Sequence, residues 1–147
     1  MPECPICSNP VATPVQGMSF SGYECPRCGR WSIGTDSSGI TLLFARKIGD
    51  WDPAAIRRRS RLSHILRRQQ PASKSQWTKI PIENIDSWHL EEPLPSPSEQ
   101  LDELTILVGE NQPSPAESAT LAAPKVSAWI GATITRPPSD SWPKLAA

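Results

Sequence analysis

The sequence lacks any long apolar segment. The longest wholly apolar run in the 147 residues is Leu42–Ala45, whereas a membrane-spanning helix requires roughly 20 such residues. The N-terminus has neither the basic region nor the apolar region of a secretory signal. We therefore expect a cytoplasmic protein that makes no contact with a membrane.

Signals of catalysis are also scarce. The chain has 8 glycines, which do not form the glycine-rich loop that binds phosphate groups in many enzymes. His64 follows Ser63 in a predicted helix, where the side chains of neighbouring residues point about 100° apart and cannot form a dyad. His89, the other histidine, has no nucleophile in a recognisable pattern beside it. We expect neither enzymatic activity nor a small-molecule substrate.

Four cysteines form the strongest motif that is present. They occur as two pairs, Cys4/Cys7 and Cys25/Cys28, with 17 residues between the pairs. This spacing is typical of a zinc ion bound by four thiolates, because a two-residue separation lets a tight turn direct both sulfurs to one ion at about 2.3 Å. Four protein ligands leave no position open for water. The sequence therefore predicts one structural Zn²⁺ per chain.

Three other uses of the cysteines compete with zinc. Disulfide bonds require an oxidising compartment, of which the sequence gives no sign. A redox-active dithiol needs only one of the two pairs, and a rubredoxin-like iron site also uses four thiolates. Around the motif, Gly29 after the second pair can adopt the positive φ that such turns favour, and its counterpart Ser8-Asn9 after the first pair is less suited, although asparagine tolerates that conformation. Phe20, Tyr23 and Trp31 are expected to cover the site.

The clearest helix signal lies between Asp52 and Pro71. Asp52 is a suitable N-cap, Pro53 fits the first helical position, and Pro71 ends the helix near residue 69 or 70. Apolar residues recur along one side of this helix at the 3.6-residue period. A second side carries a row of basic residues, here called the cationic ridge, which we expect to face solvent and to contact a partner or nucleic acid: Arg57, Arg61, His64 and Arg68.

Prolines, 17 in total, interrupt the rest of the chain and disfavour a large sheet or a bundle of long helices. The run Ile40–Phe44 is a strand or the start of a helix, between turn signals at Asp36–Gly39 and at Gly49-Asp50.

The sequence predicts five segments: a zinc ribbon over residues 1–34, a connector and the basic helix over 35–70, an irregular linker containing tryptophans over 71–95, short helices over 96–135, and a disordered tail over 136–147.

Two Ser-Pro-x-Glu sequences predict capped helix starts, at Ser96–Glu99 and Ser114–Glu117. The first helix should end at Gly109 and direct one row of side chains inward: Leu101, Leu104, Leu107 and Val108. The second should end before Pro124, and residues 125–134 form a third helix or a strand. The predicted fold class is therefore small α+β, with an N-terminal β-hairpin zinc ribbon followed by short helices and proline-rich connections.

Several of these motifs together resemble the N-terminal region of uncharacterised bacterial proteins, some of them associated with phage defence. The resemblance is carried by three sequences: Cys4-x-x-Cys7 with Cys25-Pro26-x-Cys28-Gly29, Arg59-x-Arg61-Leu62-Ser63-His64-Ile65-Leu66-Arg67, and Leu94-Pro95-x-Pro97-x-Glu99-Gln100. In those proteins a ribbon and a helical segment precede a variable effector domain. The resemblance implies a partial winged-helix-like unit near the C-terminus, and it implies that this chain is an accessory or truncated form.

Charge is distributed unevenly along a chain whose net charge is zero. Residues 1–80 contain 12 basic and 5 acidic residues, whereas residues 81–147 contain 3 and 10. Three interpretations follow: a protein-binding adaptor or sensing module that uses the basic helix, a nucleic-acid-binding zinc-ribbon protein that uses the same basic helix over residues 53–70, or two halves that attract each other within one fold. The acidic half would repel phosphates, so we favour the adaptor with a protein partner over nucleic acid.

Overall fold

A small mixed sheet of four strands contains the N-terminal part of the fold. In the computed structural model, which describes residues 3–10, 13–16, 21–34, 37–71, 76–111 and 123–134, three antiparallel strands are followed by helices, as the sequence predicts for a small α+β protein. The strands are β1 (Thr13–Gln16), β2 (Ser21–Cys25), β3 (Gly29–Ile33) and β4 (Thr78–Ile80), in that order across the sheet. The last of them pairs parallel to β3.

The β2–β3 hairpin supplies the aromatic part of the core. Tyr23 lies opposite Trp31 in the register, and their rings stack with centroids 5.5 Å apart. Gly22 allows the two strand backbones to approach closely, because a Cβ there would lie 2.2 Å from the Trp31 carbonyl oxygen. The Trp31 side chain is fully buried and meets the Phe44 ring edge-on at 5.8 Å. The predicted role of Phe20 lies outside the described residues.

Helix α1 (Ser37–Lys47) contains the run Ile40–Phe44, so this run is helical and not a strand. Ile40, Phe44 and Ile48 are buried at four-residue spacing, so one helix face enters the core. The predicted turn at Asp36–Gly39 is wrong for Ser37–Gly39, which form the first turn of α1. Gly49 has a φ of +102°, which confirms the second predicted turn.

Helix α2 (Pro53–Arg68) confirms the strongest helix prediction almost to the residue. Pro53 occupies the first turn, and Leu62 and Leu66 are fully buried. The N-cap prediction is wrong in one respect, because the Asp52 side chain makes no capping hydrogen bond although its backbone is extended. The helix is therefore held by packing more than by its cap.

The predicted irregular linker contains regular structure. Strand β4 and a 3₁₀ helix (Ile82–Trp88) both fall within residues 71–95, so the prediction of an irregular connection is wrong there. Ile80, Ile82 and Ile85 are buried in the core, and Trp88 packs against it. Asn84 has non-helical φ and ψ angles of −119° and 31°, so the segment bends between the buried residues Ile82 and Ile85.

Helices α3 (Pro97–Asn111) and α4 (Ala123–Ile130) complete the described fold. The first continues past Gly109, so the predicted end is wrong. Pro124 lies in the first turn of α4 and begins a helix instead of ending one, in agreement with the preference of proline for that position. Residues 125–130 are thus helical, and no strand follows in the described residues 131–134. The Ser114–Glu117 capping box and the predicted tail lie outside the described residues.

The expected inward face of α3 is also wrong in part. Leu104 and Leu107 are half-buried, but Leu101 is 63% exposed and Val108 is 38% exposed. Gln100 turns toward α4 instead, where its side-chain amide donates to the Gly131 carbonyl oxygen at 3.1 Å. None of the described helices is long and apolar enough to cross a membrane.

Candidate metal centre

The four cysteines meet in two facing turns. Cys4 and Cys7 lie in the loop before β1, whereas Cys25 ends β2 and Cys28 immediately precedes β3. All four Sγ atoms lie within 4.8 Å of one another, and no disulfide joins them. The sulfurs of a tetrahedral thiolate site with bonds of about 2.3 Å lie about 3.8 Å apart. The cluster could therefore hold one metal ion.

The backbone of both turns supports this arrangement. Gly29, one residue after the second pair, has a φ of +88°, as the sequence predicts, and in the Ser8-Asn9 counterpart it is Ser8 that has the positive φ, +63°. The backbone N–H of Cys28 points at the Cys25 Sγ, 3.4 Å away. A Cβ on Gly29 would lie 2.4 Å from the end of the Gln70 side chain, which would then have to move away from the Arg30 N–H that it accepts from.

Burial makes the cluster unfavourable without a cation. All four cysteines are buried, and burial is the main cause that raises the pKa of Cys4 and Cys28 well above the ordinary value. Hydrogen bonding from Cys28 is the largest cause that lowers the pKa of Cys25. Buried thiolates repel one another and lack water, so a cation among them offsets both costs.

Helix α2 braces both turns from one side. Arg59, Ser63 and Arg67 follow each other at four-residue spacing, so they share one helix face. Arg67 donates to the carbonyl oxygens of Pro26 and Arg27 at 2.9 and 3.0 Å, in the second turn. The Ser63 hydroxyl lies 3.2 Å from the Cys28 Sγ.

Arg59 is bound more extensively than the other residues of this face. The residue is only 4% exposed, and its guanidinium donates to the Pro5 carbonyl oxygen and, at 3.1 Å, to that of Ile6, in the first turn. It also donates at 2.7 Å to the carbonyl oxygens of Gly49 and Asp50. The planar fork of arginine suits such convergent acceptors.

Sequence reasoning missed this face and selected the cationic ridge instead. The sequence does contain one indication that Arg59 is buried. It lies four residues after Ala55 and three before Leu62, on the apolar side of α2. An arginine at that position must be buried with partners or point away from the core. Only the tertiary contact with the first cysteine turn decides between these outcomes.

The cationic ridge does not lie at the metal centre. Arg57 is exposed, as expected. The other members contact the C-terminal half: Arg61 pairs with Glu92 at 3.1 Å, His64 Nδ1 lies 2.8 Å from the Ala128 carbonyl oxygen, and Arg68 pairs with Glu103 at 2.9 Å while its guanidinium stacks on Trp129 at 4.2 Å. Arg68 is exposed all the same, so the prediction that the ridge faces solvent is wrong only for Arg61 and His64, which are half-buried.

These contacts bear on the charge asymmetry of the sequence. Arg58 of α2 also forms an ion pair with Glu91. Three arginines of the basic half therefore pair with three glutamates of the acidic half. The interpretation that the two halves attract each other within one fold is confirmed for these residues.

Comparison with known proteins gives no relative from which a function could be transferred. No protein-family model matches the chain, and no curated protein or solved structure matches it either. The resemblance to bacterial ribbon-containing proteins, with the accessory or truncated role it implies, stays a prediction.

Proposed function

We propose that the four cysteines bind one Zn²⁺ ion per chain and that this ion is structural. The support is the donor set itself, which consists of four buried thiols directed at one point. Zinc favours such tetrahedral sulfur sites, and four protein ligands leave no position at which water could be activated. Binding would supply much of the folding free energy of the ribbon.

Elemental analysis of protein purified under reducing conditions tests this assignment. We expect one zinc per chain and no visible absorption from iron–thiolate bonds. Cys28→Ser should lose the ion, whereas Ser87→Ala, far from the cysteines in sequence and exposed, should retain it. One iron per chain, or a fully folded protein without metal, would contradict the proposal.

Around this ion we propose a non-catalytic adaptor or sensing module that binds another protein. The observation that carries the proposal is the engagement of Arg58, Arg61 and Arg68 with the chain's own glutamates. A phosphate backbone would have to displace those glutamates and approach their negative charge. By contrast, the apolar side chain of Leu101 is exposed, and such side chains form the centre of protein interfaces.

Nucleic-acid binding is the alternative, favoured by the exposure of Arg46, Lys47 and Arg57. Duplex and single-stranded probes titrated across a salt series distinguish the two functions. The adaptor predicts weak binding that about 150 mM salt abolishes. Submicromolar binding that persists at that salt, and that Arg57→Gln weakens, would overturn the adaptor and support the alternative.

A second measurement tests the adaptor directly. Quantitative affinity purification from cells that encode the protein should recover a different protein with the wild-type bait and lose it with Leu101→Asp. Ile106→Asp is the matched control, because Ile106 is similarly exposed but lies about 140° away around α3. Equal recovery with all three baits would count against this surface as the binding site.

A further inference from the structure

A cavity of about 280 Å³ opens beside the first cysteine turn. Its walls come from that turn, from β2, from α1 and from the segment that joins α1 to α2. Three of its lining residues are aromatic: Tyr23, Phe44 and Trp51. Phe44 is buried, whereas Tyr23 and Trp51 are half-buried, so part of each of these two side chains stays accessible. We call this space the aromatic cavity.

Two carboxylates line the aromatic cavity as well. Glu3 and Asp50 are both exposed, and within the described residues neither forms an ion pair. The three glutamates of the acidic half discussed above are, by contrast, all paired with arginines of α2. The Glu3 carboxylate accepts a hydrogen bond from the Ser8 hydroxyl at 2.8 Å, which holds it against the first turn. Two negative charges at this cavity therefore have no basic partner in the part of the chain that the structure describes.

Arg59 is the single basic residue among the described residues of the lining. It is only 4% exposed, and its guanidinium already donates to the four backbone carbonyl oxygens described above. The same guanidinium lies over the Trp51 ring, 4.3 Å from its centroid, so this tryptophan already stabilises one cation. The lining thus carries one more acidic than basic group, and its acidic groups are the exposed ones.

We propose that the aromatic cavity binds an arginine side chain of another protein. The incoming guanidinium would stack on the accessible aromatic side chains and donate to the carboxylates of Glu3 and Asp50. Its planar fork suits both contacts, because it packs flat on aromatic rings and forms paired hydrogen bonds with carboxylates. The inference rests on the proposed function as a module that binds another protein, and it adds that the partner presents an exposed arginine.

An NMR titration of the zinc-loaded full-length protein with N-acetyl-arginine amide tests the site through the side-chain signals of Tyr23 and Trp51. N-acetyl-citrulline amide is the matched control, since it has nearly the same shape without the charge. Because a ligand of this size binds with a Kd in the millimolar range, the titration extends to about 50 mM. We expect saturable shifts with the arginine amide and binding that is about fivefold weaker or less with the citrulline amide. Absence of saturation with arginine, or equal binding of both amides, would overturn the proposal.

Variants that remove one charge locate the binding within the cavity. Asp50→Asn and Glu3→Gln keep the size of each side chain and should each weaken binding of the arginine amide by about threefold or more. Asp52→Asn is the matched control, because Asp52 is exposed and carries the same charge but does not line the cavity; it should stay within about twofold of wild type. No loss in either cavity variant, or equal losses in all three, would overturn the proposal.

The affinity purification described above separates this inference from the proposed function. The Asp50→Asn bait should recover less of the partner than the Asp52→Asn bait does. A partner that is lost with Leu101→Asp but retained with Asp50→Asn would support the adaptor and overturn the arginine contact, leaving the cavity to a free small cation. Recovery of no protein with the wild-type bait would contradict the proposed function, whereas the titration alone decides whether the cavity binds a guanidinium group.

Discussion

The first cysteine turn is held in place mainly by the Arg59 side chain. Its guanidinium donates to the carbonyl oxygens of Pro5 and Ile6 on one side and of Gly49 and Asp50 on the other. It also stacks over the Trp51 ring at 4.3 Å. The turn that carries Cys4 and Cys7 is thereby joined to the end of α1 and to α2.

We expect Arg59→Gln to lower the free energy of unfolding by about 3 kcal/mol or more, because several buried carbonyl groups lose their donor. Arg59→Lys should recover only part of the loss, since an ammonium group lacks the planar fork. Urea unfolding measures both effects. The exposed Arg57→Gln is the matched control and should change stability by less than about 0.5 kcal/mol; a comparable loss at both positions would contradict the assignment.

His64 makes the stability of the fold depend on pH. Burial is the main cause that lowers its pKa, and Arg68 and Arg61 lower it further, whereas the Ala128 carbonyl oxygen and Glu103 oppose the shift. The unfolded chain therefore takes up a proton at a higher pH than the folded protein. This contribution to stability is complete above the unfolded pKa of about 6.5 and is lost as the pH falls below it.

The expected result is a urea midpoint that falls more steeply from pH 7.5 to 5.5 in wild type than in His64→Gln. Protonation of the cysteine ligands affects both proteins alike, so the difference between the curves isolates the histidine. Parallel curves would show that His64 titrates alike in the folded and unfolded states.

At the scale of elements, the start of α3 is an ordinary capping box. The Ser96 hydroxyl accepts from the Glu99 backbone N–H at 3.3 Å, and the Glu99 carboxylate accepts from the Ser96 N–H at 3.2 Å. Ser96→Ala should therefore destabilise α3 by roughly 1 kcal/mol. Amide exchange at residues 98–100 should become faster, and Ser98→Ala should leave it nearly unchanged; no acceleration in Ser96→Ala would mean that the cap does not stabilise the helix.

The elements predicted correctly from sequence are those with local signals. Helix α2 has a proline at its start and a periodic apolar side, and the cysteine turns have their spacing and the glycine at position 29. Strand β4 has only three residues and exists because it pairs with β3, more than 40 residues earlier in the chain. A pairing so distant leaves no periodic trace in the sequence.

The same limit applies to the site. The four ligands follow from spacing alone, whereas the burial of Arg59 and Arg67 depends on which face of α2 meets the cysteine turns. The pairing of Arg61 and Arg68 likewise depends on the positions of Glu92 and Glu103 in the folded chain. The charge asymmetry indicates that the two halves attract each other, but it does not identify which arginine pairs with which glutamate.

For the whole molecule, the metal centre and the hydrophobic core form one unit. The cysteines belong to the same buried cluster as Trp31 of the sheet, Leu62 of α2 and Ile80 of β4. Arg27, between Cys25 and Cys28, also donates to the Ala132 carbonyl oxygen at 2.7 Å, and the Ser60 hydroxyl accepts from the Ile134 N–H at 2.8 Å. The centre is thus connected to the segment that follows α4.

Removal of the ion should therefore unfold more than the ribbon. After chelation under reducing conditions, we expect amide protection in α2 and β4 to fall together with that of β2 and β3, because Arg59, Ser63 and Arg67 lose the turns they hold. Restoring zinc should restore all of it, and magnesium, which prefers oxygen ligands, should not. If α2 and β4 kept full protection while β2 and β3 lost theirs, the ribbon would be an independent unit. A single cooperative loss would instead place the four cysteines among the residues that stabilise the entire core.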